Sequence, residues 1–279
     1  MRKDTLSLII ATILWGVTFV VVKQGVKTYH PVSFLFLRFS ITFLVLTVFM
    51  ALTKRKIKNE IFVKGIILGI SLFFGYFFQT VGLKYTTPTK SAFLTSLGVL
   101  FTPFISLFIL KTKIKFRTLL AVILASAGIY LMFGLSIDTI NTGDILTILC
   151  AVSWAFHIVF VGLLSIKEEN FGLLFVEVWV VLILSGLFII ATGVKTIPIP
   201  TVSLKGAIIT SLFATIVPFY IQLTFQTREN TIKANFIYAT EPVFAALFEF
   251  FFLGVVYGII NYVGMLFIFL SALLAQKEG

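Results

Sequence analysis

The sequence predicts an all-α polytopic membrane protein, with ten transmembrane helices arranged as two inverted five-helix repeats. Three observations predict it: an apolar excess in the composition, charged clusters spaced between apolar runs, and residue matches separated by one constant offset. Of 279 residues, 59% are hydrophobic and 12% charged, and the mean hydropathy is +1.11. A soluble domain carries about 25% charged residues. A water-soluble chain of this size has too little interior to hide so much apolar surface, so the expected solvent is lipid.

A bilayer core needs about 20 apolar residues per helix. Charged clusters and Pro, Gly or Asn punctuation cut the chain into spans at 5–24, 32–52, 62–83, 89–110, 116–134, 144–164, 171–192, 204–224, 234–253 and 257–275. The first span follows Met-Arg-Lys-Asp and has no small-residue cleavage site, so it reads as retained rather than as a signal peptide. The second and seventh spans each hold one mid-length charge, Arg38 and Glu177. Gly65 and Gly69 in the third form a small-xxx-small pair, read as helix packing. Tyr76 and Gln79 follow in the same span, and Pro103 interrupts the fourth. The sixth carries Trp154 and His157, three residues apart and therefore on neighbouring faces. Tyr220 and Gln222 lie in the eighth, and Tyr238, Glu241 and Pro242 in the ninth. The connections are too short for an inserted soluble domain.

Lys and Arg set the orientation. With a cytoplasmic N-terminus, 15 basic residues fall on the inner side and six on the outer side, and Arg38 falls within a span. Ten spans bring both termini to the cytoplasmic side. The net charge of +11 is thus topological, not a nucleic-acid footprint, and no nucleic-acid partner is expected. The lone Cys150 supports no disulfide framework.

Trp15 and Trp154 are 139 residues apart, as are Pro103 and Pro242, and Arg38 and Glu177. The chain therefore reads as two repeats, 1–135 with helices one to five and 143–276 with helices six to ten, forming one transmembrane domain. Five is odd, so the second half enters the membrane from the opposite side. Inverted-topology repeats are typical of secondary transporters, whose sites lie near the membrane midplane.

Glu241 beside Pro242 is the costly pair. Proline removes a backbone donor and clashes with the preceding turn. An ionisable residue inside a span is a functional hypothesis by default. Either the matched prolines Pro103 and Pro242 merely kink their helices, or they free carbonyls beside a shared cavity. The candidate lining is Trp15, Gln79, Trp154, His157, Gln222, Tyr238 and Glu241, from a cavity among helices one, three, four, six, eight and nine. His157 with Glu241 is a candidate proton-sensing couple, against the alternative of a packed structural histidine. Arg38 and Glu177 are gating or bracing charges, together with Pro103 and Pro242. The two charges are expected to pair across the pseudo-twofold, because an unpaired charge in hydrocarbon costs at least about 2.5–3.5 kcal/mol. Glu249, about 12 Å beyond Glu241 along the helix, is expected near the outer surface and solvated.

Catalysis finds no support. There is no Gly-x-Ser-x-Gly, His-Glu-x-x-His or Walker loop, and two histidines alone make no zinc site. No catalytic residue, metal or cofactor is expected.

The stretches "ILWGVTFVVVKQGV…PVSFLFLRFS", "VGLKYTTPTKSAFLTSLGVLFTPFISLFILK", "GDILTILCAVSWAFHIVFVG" and "TIKANFIYATEPVFAALFEFFFLG" resemble the EamA-type members of the drug/metabolite transporter superfamily. The resemblance covers nearly the whole chain. It implies ten helices, two EamA repeats, and export or exchange of small metabolites, with Glu-Pro as the usual pattern in helix nine. It ranks amino-acid-like solutes above organic cations, nucleotide sugars and lipids. A nucleotide sugar would also want more than one buried base, and Arg38 stands alone. The family commonly has Leu-Gly-Glu after helix nine, where this chain has Leu253-Gly254-Val255, and the first half ends Leu110-Lys111-Thr112. No role for those acidic residues carries over. The expectation is a secondary-active transporter of the cytoplasmic membrane working by alternating access, its partners membrane lipids and a small solute, with proton coupling as an open hypothesis. The rivals are a lipid-handling or scaffold membrane protein without solute transport and a multidrug or organic-cation exporter. Solute, coupling ion, direction and oligomeric state stay open.

Overall fold

A computed structural model describes residues 3–133 and 141–276. Arg2, Lys277, the end of the first repeat at 135 and the end of the fifth span at 134 lie outside the described residues. The helices are α1 (Lys3–Gly25), α2 (Pro31–Leu52), α3 (Asn59–Tyr85), α4a (Pro88–Ser96) with α4b (Gly98–Ile109), α5 (Phe116–Phe133), α6 (Thr142–Leu164) and α7 (Asn170–Thr192). Then come α8a (Thr201–Ser211), a π turn (Leu212–Ile216), α8b (Val217–Phe225), α9a (Thr231–Tyr238), α9b (Glu241–Leu253) and α10 (Ile259–Gln276). Among the described residues, with each broken helix counted once, there are ten, in two inverted repeats of five. Nine of them are long and apolar enough to cross a membrane, and α5 adds a shorter apolar stretch, Phe116–Met132. The chain is a multi-pass membrane protein.

Local chemistry sets the ends. His30 caps α2 through its ring, accepting from the Val32 N–H, and Pro31 fills the first helical position, where no donor is needed. Thr87 and Pro88 repeat that start in α4a. Asn141 and Asp144 form a reciprocal capping box at α6. Gly193 (φ 64°) and Gly254 (φ 68°) close α7 and α9b in the left-handed conformation that glycine adopts without a Cβ penalty.

The faces of the bundle differ in charge. Residues 53–58 and 110–115 carry a Lys/Arg-rich set at the end where α1 begins, called here the basic face. The loops 26–30, 86–87, 193–200 and 254–258 lie at the opposite face. Outward side chains such as Leu52, Phe108 and Ile190 are almost fully exposed, as a lipid-facing surface requires.

Small residues bring the helices together. A Cβ at Gly65 would lie 2.5 Å from the Val176 Cβ, and one at Gly69 would lie 3.1 Å from the Glu177 Cα, so the Gly65/Gly69 pair seats α3 on α7, as its spacing predicts. Gly128 and Gly264 make the same close approach between α5 and α10. Gly16 admits the Glu241 carbonyl and Phe244 of α9b against α1. Around this frame, α1, α3, α4, α6, α8 and α9 converge on the centre, and α5 pairs with α10.

Candidate functional site

Three of the central helices are interrupted at mid-depth. Helix four breaks at Leu97 and helix nine at Ala239–Thr240. Pro242 has no N–H, so the Tyr238 carbonyl loses its helical donor. Pro103 lies not at the break but inside α4b, where it is buried. The Asn235 side chain donates to the Gly98 carbonyl at 3.3 Å and so joins the two breaks. In helix eight, Pro218 leaves the Ala214 carbonyl without its i+4 donor, within the π turn. Trp15 Nε1 (3.1 Å) and the Tyr76 hydroxyl (3.0 Å) donate to that carbonyl instead. Backbone irregularity at this depth is tolerated where protein or a polar cavity re-satisfies the freed groups.

A cavity of about 60 Å³ lies among these elements. That is well below the roughly 300–1,000 Å³ of open small-molecule sites, so a solute enters only as the surrounding helices part. Of the residues the sequence singles out, Trp15, Gln79, Trp154, Gln222, Tyr238 and Glu241 border it. Thr18, Tyr76, Thr95, Ser96 and Asn235 join them, and so does Arg38 from α2, a helix the sequence reading leaves out of the lining. Trp15, Trp154, Tyr76, Tyr238 and Phe219 form a continuous aromatic cluster with centroid separations of 5.2–6.0 Å. Among the described residues, no hydrogen bond or ion pair engages the Glu241 carboxyl. Arg38, 2% exposed, donates through Nε to Thr215 Oγ1 and through Nη2 to the Tyr76 hydroxyl, both at 2.9 Å. Its guanidinium also lies 4.3 Å from the Tyr76 ring centroid. The space thus carries one guanidinium and one carboxyl group on aromatic walls.

Three sequence expectations meet a different structure. His157 does not border the space; it is buried, and its Nδ1 lies 3.2 Å from Ser71 Oγ and 3.3 Å from the Leu68 carbonyl of α3. The three-residue step from Trp154 turns it toward α3, with the Trp154 ring 5.6 Å away. Arg38 and Glu177 do not pair: hydroxyls satisfy Arg38, while both Glu177 carboxyl oxygens are buried without a partner among the described residues. Tyr220, a neighbour of Gln222 in the eighth span, stacks on Phe171 at 4.3 Å and does not border the space. Glu249 is not solvated but 5% exposed. It accepts from the Thr89 N–H and hydroxyl at the start of α4a and from the Tyr257 hydroxyl (2.5 Å). Burial, then the bond to Glu249, push the Tyr257 phenol above its ordinary pKa, so it remains the donor.

Polar contacts bound the space toward each face. Toward the basic face, Gln226 donates to the Ile158 carbonyl (2.5 Å) and accepts from Gln222 (3.0 Å) and Tyr238 (3.1 Å). Toward the opposite face, Lys90 pairs with Asp144 at 2.6 Å, and Lys23 caps the Leu83 and Thr86 carbonyls. Asn235, Thr95 and Gln226 were not singled out from the sequence. Their signal is polarity beside a helix break, which shows only once the breaks are known.

Comparison with known proteins agrees with this architecture. Residues 3–134 and 141–276 each match the EamA-like transporter family. A protein of Archaeoglobus fulgidus named an uncharacterized transporter is 34% identical over 271 residues, covering 97% of this chain and 85% of its own. The Bacillus subtilis protein YyaM, named likewise, is 32% identical over 158 residues, 52% of this chain and 51% of its own. A crystal structure matches with a TM-score of 0.77 at 16% identity, over 100% of this chain and 99% of that one, which speaks for the fold alone. Family and relatives point to a transporter rather than an enzyme. With both of its halves matched, the chain belongs to the EamA-like transporter family, within the drug/metabolite transporter superfamily.

Proposed function

We propose that the protein is a secondary-active transporter that exports or exchanges small zwitterionic, amino-acid-like solutes across the cytoplasmic membrane by alternating access. The observation that carries this reading is the placing of the Arg38 guanidinium and the Glu241 carboxyl on one aromatic-walled cavity. A carboxylate suits the planar guanidinium of Arg38, and an ammonium suits Glu241 together with the Trp and Tyr faces. Discontinuous helices at a repeat interface are where transporters of inverted-repeat build hold their substrates. The solute contacts would come from Trp15, Gln79, Trp154, Gln222, Tyr238 and Glu241 with Arg38, while His157 acts at most from behind Trp154. The basic face is cytoplasmic in this reading, with both termini on that side, by the excess of Lys and Arg there.

The test is thermal unfolding of the purified protein in mild detergent with amino acids, organic cations, nucleotide sugars and lipids. A ligand at about 100 times its Kd stabilises by about 2.7 kcal/mol. Neutral amino acids should raise the apparent Tm, and Glu241→Gln and Arg38→Met should each abolish the rise. A rise with organic cations alone that survives Arg38→Met replaces this reading with a cation exporter. A rise with lipids alone replaces it with a lipid-handling protein.

A further inference from the structure

Two hydrogen-bonded groups of the first half have counterparts in the second half that are left without partners among the described residues. Trp15 Nε1 is satisfied by the Ala214 carbonyl, whereas Nε1 of Trp154, its mate at the 139-residue offset, is buried with no partner among the described residues. Arg38 is satisfied by Tyr76 and Thr215, whereas Glu177, its mate, has both carboxyl oxygens without a partner. Buried polar atoms are almost always bonded, so each exception calls for a cause.

Tyr76 and Thr215 supply one. They are themselves 139 residues apart, so the two hydroxyls that grip Arg38 are repeat mates of each other. A hydroxyl accepts from a guanidinium and donates to a carboxylate. The same two groups can therefore serve either charge, once each turns its single proton away from the carbonyl it now bonds, Ala214 for Tyr76 and Thr210 for Thr215. We propose that Tyr76 and Thr215 form one seat on the pseudo-twofold, held by Arg38 in this conformation and by Glu177 in the opposite-facing one, so that Arg38 and Glu177 are competing positioning residues of the transport cycle. This rests on the alternating-access reading above.

The packing gives the size of the exchange. Ser211 of α8a donates to the Arg38 carbonyl, and its repeat mate in α3 is Leu72. The α3 residue against the Glu177 backbone is instead Gly69. The α7–α3 pairing is thus offset by three residues from the α2–α8 pairing, about 4.5 Å along a helix. A slip of nearly one turn of one helix past another is an established kind of two-state step. It would carry Glu177 toward the hydroxyls as Arg38 leaves them, and Trp154 Nε1 toward the Gly75 backbone, the repeat mate of Ala214, against which it already packs.

The experiment reads sidedness. In a Cys150→Ala background, Leu83→Cys and Ile158→Cys report the two ends of the cavity to a membrane-impermeant maleimide in right-side-out and inside-out vesicles. Glu177→Leu leaves Arg38 without a competitor and Arg38→Met does the reverse. The ratio of the two labelling rates should move in opposite directions, each about tenfold for a bias of about 1.4 kcal/mol, and Arg38→Met/Glu177→Leu should fall between. Should Arg38→Met not accumulate, Tyr76→Phe/Thr215→Val strips the seat and must erase the Glu177→Leu shift. Wild-type labelling from both faces with single variants that shift together, or not at all, overturns the shared seat and leaves alternating access standing. Wild-type labelling confined to one face overturns both.

Discussion

Trp15 and Trp154 are the same residue at matching places, and the structure gives only one of them a hydrogen bond. Both rings lie against Phe219, so Trp→Phe removes the indole N–H and the same volume at either place, and the difference between the two variants reports the bond. A neutral hydrogen bond contributes about 1 kcal/mol net, and an orphaned buried donor costs about 1–3 kcal/mol. Trp15→Phe should therefore lower stability by about 1 kcal/mol more than Trp154→Phe, as read by thermal unfolding in detergent. Equal losses would mean that the ring, not the donor, decides. Residue identity was the more legible part of this site. The aromatics, Gln79, Gln222 and Glu241 stand out in a sequence because polarity is rare inside apolar spans. Partners were not legible. Glu249 is as polar as Glu241, yet the chain routes it to Thr89 and Tyr257, residues 160 and 8 positions away. Nothing local to either residue announces that. Pairing Arg38 with Glu177 was reasonable for two lone charges, but two hydroxyls already hold the guanidinium.

At the level of the element, hydrophobic length determines where helices run, and the structure places them within a few residues of the apolar runs: 171–192 is Asn170–Thr192, and 32–52 is Pro31–Leu52. Breaks are less visible. Pro242 does mark one, but Pro103 sits inside α4b while the break falls at Leu97, where no proline stands. Pro218 is the most consequential proline and is not legible as such, because a single proline in an apolar run reads as an ordinary kink. Its missing N–H frees the carbonyl on which Trp15 and Tyr76 converge. Pro218→Ala supplies that donor and lets the ladder close over the π turn. Proline is worse than alanine inside a helix by about 3 kcal/mol, so stability should hold or rise. Solute affinity should fall by about tenfold, since two cavity-lining aromatics lose an acceptor that worked for them alone. The check is the ligand-induced shift in Tm beside the unliganded Tm. A loss of stability with affinity intact would make the proline purely structural.

For the whole molecule, the charge distribution and the helix count make one joint statement about orientation. Ten helices return the chain to its starting side, and the basic face gathers Lys54, Arg55, Lys56 and Lys58 in one loop with Lys111, Lys113 and Lys115 in another. Short loops of this kind are held on the cytoplasmic side by their Lys and Arg. The opposite loops hold fewer, and 193–200 carries only Lys195. The proposed orientation can be checked without touching the site, because the single native Cys150 is buried and silent to a thiol reagent. Ile197→Cys, 75% exposed at the opposite face, should react with an impermeant maleimide on intact cells. Lys113→Cys, exposed at the basic face, should react only after the membrane is opened. The reverse pattern would turn the molecule over and, with it, the assignment of Gln226 to the cytoplasmic end of the cavity. Labelling of both positions on intact cells would mean two populations of opposite insertion. Neutralising the loop at Lys54, Arg55, Lys56 and Lys58 should then shift their proportions, because that loop supplies the largest local share of the bias.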